Sequence, residues 1–210
     1  METERISRKE REYLAHREEI LSAAEKVFAA KGFFATTMSD IARKAEFGTG
    51  TLYNYFKSKE ELYFTLIDEK VEEVNRLVNA ELSKKTSAIE RMRKALELQF
   101  EFVERNRDFF RIYISERNRF EWTVKDELGK GLHEKMVTYI HILAEVMRQG
   151  IREREFKSMN PIDLAHAWVG MVNSFVFEWL ISREDYPLIS KLDTVLEIFL
   201  GGVQRTERRK

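Results

Sequence analysis

Helix-breaking residues are scarce in this chain, and that scarcity constrains the fold more than any other feature. Only two prolines and nine glycines occur in 210 residues. The prolines, Pro161 and Pro187, stand at a predicted helix start and between two predicted helices, where proline is tolerated. The sequence lacks the alternating runs and closely spaced turns that are typical of β-sheets. The chain is therefore predicted to be all-α.

Helical periodicity divides the chain into about nine predicted helices. Apolar residues three or four apart, such as Ile20, Ala24 and Val27, give the first helix one buried face. We expect a left-handed cap at Gly32 to end this helix. The predicted helices cover residues 8–31, 38–45, 49–56, 58–83, 87–106, 107–116, 124–154, 161–182 and 189–205.

The segment from Thr37 to Phe56 has the form of a helix-turn-helix. It reads TMSDIARKAEFGTGTLYNYF, which is a capped helix, a turn with glycine, and a second helix of about two turns. Thr37 is a good N-cap, whose hydroxyl is expected to accept the backbone N–H of Asp40. The negative charge of Asp40 also complements the helix dipole. Ser58 and Glu61 are predicted to form a capping box that opens the fourth helix. Because such short helices are unstable alone, we expect the first and fourth helices to hold them.

The second helix of this motif is predicted to leave one face free. At 100° per residue, Leu52 and Phe56 define the buried side, while Gly50 and Asn54 point the opposite way. Tyr53 lies on the flank. In a DNA major groove, an asparagine amide pairs with an adenine edge, a tyrosine ring touches a thymine methyl, and glycine permits close approach. Gly50, Tyr53 and Asn54 are therefore the predicted base contacts.

Hydroxyl and ammonium groups around that face are suited to phosphate oxygens. Thr37, Thr49, Thr51 and Tyr55 carry the hydroxyls. Lys59 adds a positive charge at the start of the fourth helix, where the helix N-terminus already favours anions. With 36 basic and 36 acidic residues the chain has no net cationic field, so DNA binding has to depend on this local site.

The stretch from Ile20 to Leu66 closely resembles the N-terminal helix-turn-helix of the TetR family of bacterial repressors. Lys59 sits where that family has its phosphate-binding lysine. The resemblance implies a DNA-binding domain at residues 1–60 and a helical domain at residues 61–210 that binds an effector and dimerises. The positions that match the family pattern are Thr37, Ile41, Ala42, Ala45, Gly50, Thr51, Leu52, Tyr53 and Phe56.

Three positions depart from the family pattern. Gly48 replaces the serine that caps the recognition helix, and glycine is an acceptable though weaker cap. Tyr55 replaces the common histidine and keeps a hydroxyl for the phosphate. Glu46 replaces the common glycine of the turn, and it either alters the path of the turn or faces solvent.

The helix after Pro161 is apolar on two sides, and such a helix needs two packing partners. One partner is its own domain; we expect the other to be the same helix of a second subunit, joined by the last helix. This arrangement is a twofold homodimer through a four-helix bundle. Its two recognition helices, about 34 Å apart, would read the half-sites of a palindromic operator in double-stranded DNA. The predicted interface residues are Val169, Val176, Leu180, Val195 and Phe199.

Aromatic side chains of the second domain are candidates for a ligand pocket. Cavities lined by aromatic residues suit hydrophobic ligands, although an aromatic stripe at helical spacing is more often ordinary core. The central helices have no clustered charges on their apolar faces, so the expected effector is a small hydrophobic or amphipathic molecule. The candidate lining residues are Phe100, Phe110, Tyr113, Trp122, Tyr139, Trp168 and Phe175.

The composition argues against other functional classes. A chain without cysteine has no disulfide, thiolate metal site or cysteine nucleophile, which suits a reducing cytoplasm. The four histidines are scattered, and the sequence contains no recognisable catalytic or cofactor-binding motif. The most apolar stretch, Ala167 to Ile181, is too short for a membrane span. We predict a cytoplasmic chain with no enzymatic activity, no metal, no cofactor besides an effector, and no membrane partner.

Three functions are compatible with the sequence. The first is a repressor whose ligand favours a dimer shape in which the recognition helices no longer match the groove spacing. The second is a constitutive DNA-binding protein with a filled core. The third is a helical enzyme or carrier whose N-terminal hairpin is only structural.

Overall fold

The computed structural model describes residues 7–111, 127–182 and 184–203. Residues 107–111 are helical, and a 3-10 helix covers Leu188–Lys191. No β-strand occurs in these ranges, and the predicted all-α fold is confirmed. The helices with defined bounds are α1 (Arg8–Lys31), α2 (Met38–Lys44), α3 (Thr49–Tyr55), α4 (Lys59–Leu82), α5 (Ala88–Arg105), α6 (Glu127–Arg152), α7 (Pro161–Ile181) and α8 (Leu192–Val203).

The chain forms two compact units. Of the residues that the structure describes, the first unit includes 7–69 and the second includes 70–110, 127–182 and 184–203. The division falls inside α4, so this helix contributes to both units. The domain boundary expected from the sequence, between residues 60 and 61, lies in the first turn of the same helix.

The first unit is built on one face of α1. Ile20, Ala24 and Phe28 recur at helical spacing and are fully buried. The ring of Tyr63 in α4 lies edge-on to the ring of Phe28, with centroids 5.3 Å apart. At the end of α1, Gly32 has φ 75° and ψ 165°. The predicted left-handed cap is therefore wrong in ψ, although the positive φ does require glycine.

The core of the second unit is formed by α5, α6, α7 and α8. Close packing between α6 and the segment that follows it depends on Gly150. A Cβ atom at this position would lie 2.5 Å from the ring of Phe156 and 3.0 Å from the Cβ of Ala88. Because both neighbours are buried, only glycine lets the chain after α6 fold back at this distance.

Helix α7 is long and apolar enough to cross a membrane if only length and composition are considered. The sequence-based statement that this stretch is too short is corrected, because the helix begins at Pro161 and covers 21 residues. The side chain of Asn160 caps its start by accepting the N–H of Ile162. One side of α7 is buried within the second unit, as in the core helix of a globular domain, through Leu164, Ala165, Trp168, Val172, Val176, Trp179 and Leu180.

Candidate nucleic-acid interface

Thr37 and Asp40 start α2 by capping each other. The hydroxyl oxygen of Thr37 accepts the N–H of Asp40 at 3.1 Å, and the Asp40 carboxylate accepts the N–H of Thr37 at 3.2 Å. The same carboxylate binds Lys31 at 2.9 Å and Arg43 at 2.7 Å. Hydrogen bonds from Lys31 and Thr37 lower the pKa of Asp40 to about 2. The Thr37 hydroxyl also donates to the Asp40 carboxylate at 2.9 Å. Its proton is therefore used in a hydrogen bond within the helix-turn-helix.

The turn between α2 and α3 places Glu46 in the left-handed region, at φ 61°. The N–H of Phe47 donates to the carbonyl of Ala42 at 2.9 Å, and the N–H of Glu46 donates to that of Arg43 at 3.4 Å. These two bonds define a Schellman motif, in which the left-handed residue is usually glycine. The Glu46 side chain is exposed. The turn therefore keeps the hydrogen bonds of a glycine turn, and the departure from the family pattern affects the residue type alone.

Helix α3 is held on one side and open on the other. Leu52 and Phe56 are buried, as the helical period predicts. Gly50 and Asn54 are exposed, and Tyr53 is 52% exposed. A Cβ atom at Gly50 would have no neighbour within 4 Å. Because the fold leaves room for a side chain there, no packing contact among the described residues accounts for the glycine.

The start of α3 has no side-chain cap. Gly48 occupies the N-cap position, and its carbonyl accepts the N–H of Thr51 at 2.9 Å. Thr49 is exposed, while Thr51 is half-buried. Both threonines lie in the first turn of α3, and their phosphate contacts stay predictions.

Tyr55 is directed at α1. Its hydroxyl lies 3.2 Å from Nδ1 of His16, and its ring stacks on Tyr13 with centroids 4.7 Å apart and planes 21° apart. His16 also contacts the ring of Phe47 edge-on, with centroids 5.1 Å apart. Sequence reasoning missed Tyr13 and His16. His16 is four residues before the buried Ile20 and Tyr13 is three before His16, so both share the face of α1 that packs in this unit, and this spacing was the available signal.

Lys59 closes the turn between α1 and α2. Its ammonium group donates to the carbonyl oxygens of Phe33 and Thr36, both at 2.8 Å. It also lies 4.3 Å from the centroid of the Phe33 ring. An ammonium has three N–H donors, so one is left for the predicted phosphate contact.

The predicted capping box at the start of α4 is half formed. The hydroxyl of Ser58 accepts the N–H of Glu61 at 3.1 Å. The carboxylate of Glu61 accepts the N–H of Lys57 at 2.6 Å, one residue before the position that a capping box uses. Both side chains nevertheless accept a backbone N–H at the start of α4.

Five of the predicted pocket residues lie in the described part of the second unit; Tyr113 and Trp122 lie outside the described residues. The ring of Trp168 packs edge-on against Phe199, with centroids 5.1 Å apart, as in ordinary core. Burial raises the pKa of Tyr139. The pocket assignment stays a prediction for the two buried residues, Phe100 and Trp168, and for the three half-buried ones, Phe110, Tyr139 and Phe175.

The predicted dimer residues are largely covered by their own protomer. Val169 is half-buried, whereas the other four, Val176, Leu180, Val195 and Phe199, are buried within the second unit. Packing inside one chain thus accounts for the apolar character of these four positions. The exposed apolar side chains on the same two helices are Phe177, Ile181 and Ile198.

The histidines are dispersed through the structure. His16 contacts Tyr55, while His133, His141 and His166 are exposed on α6 and α7. Within residues 7–111, 127–182 and 184–203, no group of three or more His, Asp or Glu side chains is placed to hold a metal ion.

Two family models match the chain, one in each unit. The model for bacterial regulatory proteins of the TetR family matches residues 20–66, and the model for the tetracyclin repressor-like C-terminal domain matches residues 85–181. The chain belongs to the TetR family. The resemblance expected from Thr37 to Phe56 is confirmed, and this TetR-family protein is a DNA-binding transcriptional regulator.

Known relatives cover nearly the whole TetR-family chain. It is 25% identical to the fatty acid metabolism regulator protein of Bacillus subtilis (strain 168) over 186 residues, 88% of this chain and 94% of that protein. The crystal structure of FadR from Bacillus subtilis in complex with stearoyl-CoA matches with a TM-score of 0.74 and 24% identity, over 88% of this chain and 98% of that one. AibR in complex with isovaleryl coenzyme A and operator DNA matches with a TM-score of 0.72 and 18% identity, over 87% and 97% of the two chains.

Proposed function

We propose that this protein is a homodimeric repressor that binds a palindromic operator through α3 and leaves it when an amphipathic effector binds. The observation that carries the proposal is the open face of α3. Gly50, Tyr53 and Asn54 are exposed together, while Leu52 and Phe56 hold the helix to its unit. An amide, an aromatic ring and a glycine on one helical face suit the edges of bases in a major groove.

The second subunit is expected to cover the exposed apolar side chains of α7 and α8. Phe177 and Ile181 are four residues apart and share a face of α7, and Ile198 is exposed on α8. A twofold interface covers such a patch with the same patch of a second copy. Two copies of α3 about 34 Å apart then read successive major grooves.

The proposed effector is an acyl ester of coenzyme A. FadR from Bacillus subtilis was solved with stearoyl-CoA and AibR with isovaleryl coenzyme A. The half-buried rings of Phe110 and Phe175 offer apolar surroundings of the kind that an acyl chain occupies. The effector releases DNA by binding best to a dimer shape whose α3 helices no longer match the groove spacing.

In this proposal the protein is a regulator and not an enzyme, and it acts in the cytoplasm. Its domains are a DNA-binding domain at residues 1–60 and an effector-binding and dimerising domain at residues 61–210. DNA contacts are assigned to Thr37, Thr49, Gly50, Thr51, Tyr53, Asn54, Tyr55 and Lys59. It uses no cofactor or metal besides its effector.

The DNA half of the proposal is tested by selecting bound fragments from random duplexes at a fixed salt concentration. A palindromic consensus is expected, and Tyr53→Ala and Asn54→Ala should abolish the preference while the dimer persists in size-exclusion chromatography. If the wild-type protein recovered fragments without any sequence preference, the proposed recognition of an operator would be contradicted.

The effector half is tested by measuring operator affinity with stearoyl-CoA and with free coenzyme A. Release by stearoyl-CoA alone is expected. An equal effect of the two compounds would exclude this class of effector and leave the DNA-binding role standing.

A further inference from the structure

Tyr13 and His16, in the second and third turns of α1, lie against Tyr55 at the C-terminal end of α3. Tyr13 stacks on Tyr55 at a centroid distance of 4.7 Å, and Nδ1 of His16 lies 3.2 Å from the Tyr55 hydroxyl. Both residues precede residue 20, where the match to the family's DNA-binding model begins. Tyr13 remains 44% exposed in spite of the stacking, so this part of α1 has a surface beside α3 that the protomer does not cover.

The position of Tyr55 determines what that surface faces. The proposed function places Tyr55 beside a DNA phosphate at the edge of the groove that α3 enters. A side chain stacked on Tyr55 is then next to the same sugar–phosphate backbone. The exposed side of Tyr13 thus continues the proposed DNA-binding face of α3.

The cations of this segment differ in their partners. Arg8 forms an ion pair with Glu12 at 2.8 Å, and Arg17 forms one with Glu69 at 2.6 Å. Lys9 and Arg11 are exposed, and neither has an ion pair within the part of the chain that the structure describes. Among the described residues, these two side chains are the positive charges in the first turn of α1 that have no ion pair.

Helix geometry places those two charges on opposite sides. Lys9 is four residues before Tyr13 and shares its face, one turn nearer the N-terminus. Arg11 is two residues before Tyr13, so its side chain is directed about 160° away. Of these two residues, only Lys9 therefore lies on the side of α1 that faces the proposed path of the DNA backbone past Tyr55.

We propose that Lys9 binds a DNA phosphate and that the operator contact extends from the helix-turn-helix onto the first turns of α1. The inference depends on the proposed function, because duplex DNA along α3 is what brings a phosphate to this face. A lysine on a phosphate adds affinity and register but carries no base preference. Lys9 therefore strengthens binding to every sequence, while Tyr53 and Asn54 select the operator.

The test compares two variants that each remove one positive charge from the same helix. Operator affinity is measured across a range of salt concentrations for the wild-type protein, Lys9→Gln and Arg11→Gln. A dimer that loses two phosphate contacts is expected to show a plot of log K against log salt that is shallower by about 1.8 for Lys9→Gln. Arg11→Gln should keep the wild-type slope, and Lys9→Arg, which retains the charge, should as well. Thermal unfolding followed by circular dichroism checks that the variants fold.

Equal slopes for Lys9→Gln and Arg11→Gln would overturn the inference. The same comparison on a duplex without operator separates the two proposals. If the wild-type protein selects no sequence but Lys9→Gln still flattens the slope, the base-reading role fails and the α1 contact stands. If a palindrome is selected and the two slopes agree, only the α1 contact fails.

Discussion

The ammonium nitrogen of Lys59 lies 2.8 Å from the carbonyl oxygen of Phe33. The two residues are 26 positions apart, so this bond joins the start of α4 to the turn after α1. The carbonyl of Thr36 accepts from the same nitrogen at 2.8 Å. Lys59 therefore stabilises the entry to α2 before any DNA is present, and a phosphate contact would use only its third donor.

Replacing Lys59 with methionine should destabilise the first unit. Lys59→Met keeps the aliphatic stem but leaves two carbonyl groups without this donor, and hydrogen bonds to charged groups contribute about 1.5–3 kcal/mol. We expect a loss of about that size in urea unfolding. Lys57→Met is the matched control, because the Lys57 side chain is exposed and should shift stability by less than about 0.5 kcal/mol. Equal effects of the two variants would contradict the structural role.

A methyl group at Gly50 should separate folding from DNA binding. Gly50→Ala meets no neighbour within 4 Å and improves helix propensity, so stability should stay level or rise by up to about 1 kcal/mol. Operator affinity should fall by about tenfold or more, a loss of roughly 1.4 kcal/mol, because the methyl group holds α3 away from the bases. Gly131→Ala adds the same group to α6 without close neighbours, and it should leave affinity unchanged. Unaltered affinity of Gly50→Ala would show that DNA does not approach this face.

Glycine at position 46 should stabilise the protein. Glu46 has φ 61°, where a residue with a Cβ is strained by about 1–2 kcal/mol and glycine is not, although glycine also gains freedom in the unfolded chain. The net gain for Glu46→Gly is expected near 0.5–1 kcal/mol in denaturant unfolding. The same substitution at Glu18, inside α1, should instead destabilise by about 1 kcal/mol. A loss of stability at position 46 would be incompatible with the left-handed turn.

Acid should weaken the cap of α2 through Asp40. The pKa of this carboxyl is about 2 in the folded protein, below its ordinary value of 3.8, so the stabilisation is present above about pH 4 and is lost as pH falls towards 2. Asp40→Asn should therefore reduce the fall in the urea midpoint between pH 4 and pH 2. Glu18→Gln, which removes an exposed carboxylate without an ion pair among the described residues, should reproduce the wild-type curve. Parallel curves for Asp40→Asn and the wild type would exclude the role of this cap.

Close packing at Gly150 should make its replacement costly. The added Cβ of Gly150→Ala would lie 2.5 Å from the ring of Phe156, and the buried ring has little room to move. We expect a destabilisation of about 1–3 kcal/mol by denaturant unfolding. Combining it with Phe156→Leu should cost less than the sum of the two single changes, because they relieve one contact. Strict additivity would mean that the two residues do not touch. Gly131→Ala on the same helix is the control, and without close neighbours it should keep stability level or raise it by up to about 1 kcal/mol.

The parts of the fold that the sequence predicted are those with a period or a cap. Leu52 and Phe56 recur at helical spacing, so the buried side of α3 followed directly from the sequence. Thr37 and Asp40 form a local pair, and their cap needs no information from distant residues. Such short-range patterns also set most of the helix bounds to within a few residues.

Contacts across the chain were not predictable in the same way. The sequence did not reveal that the Tyr55 hydroxyl, whose phosphate contact stays a prediction, also lies beside His16, which is 39 residues away. The apolar pattern of α7 and α8 predicted buried faces at Val176 and Val195, yet the pattern does not tell which chain buries them. Both results depend on tertiary packing, and a single sequence does not encode that packing as a local signal.

The turn between α2 and α3 at Glu46 also affects how related regulators can be recognised. A sequence filter that demanded glycine there would reject this chain, although the amide of Phe47 still meets the carbonyl of Ala42 at 2.9 Å. At this turn the residue type carries a modest strain, whereas the main chain keeps the hydrogen bonds of a glycine turn. Relatives that carry the same substitution are better identified by the main-chain hydrogen bonds of this turn than by the residue type at this position.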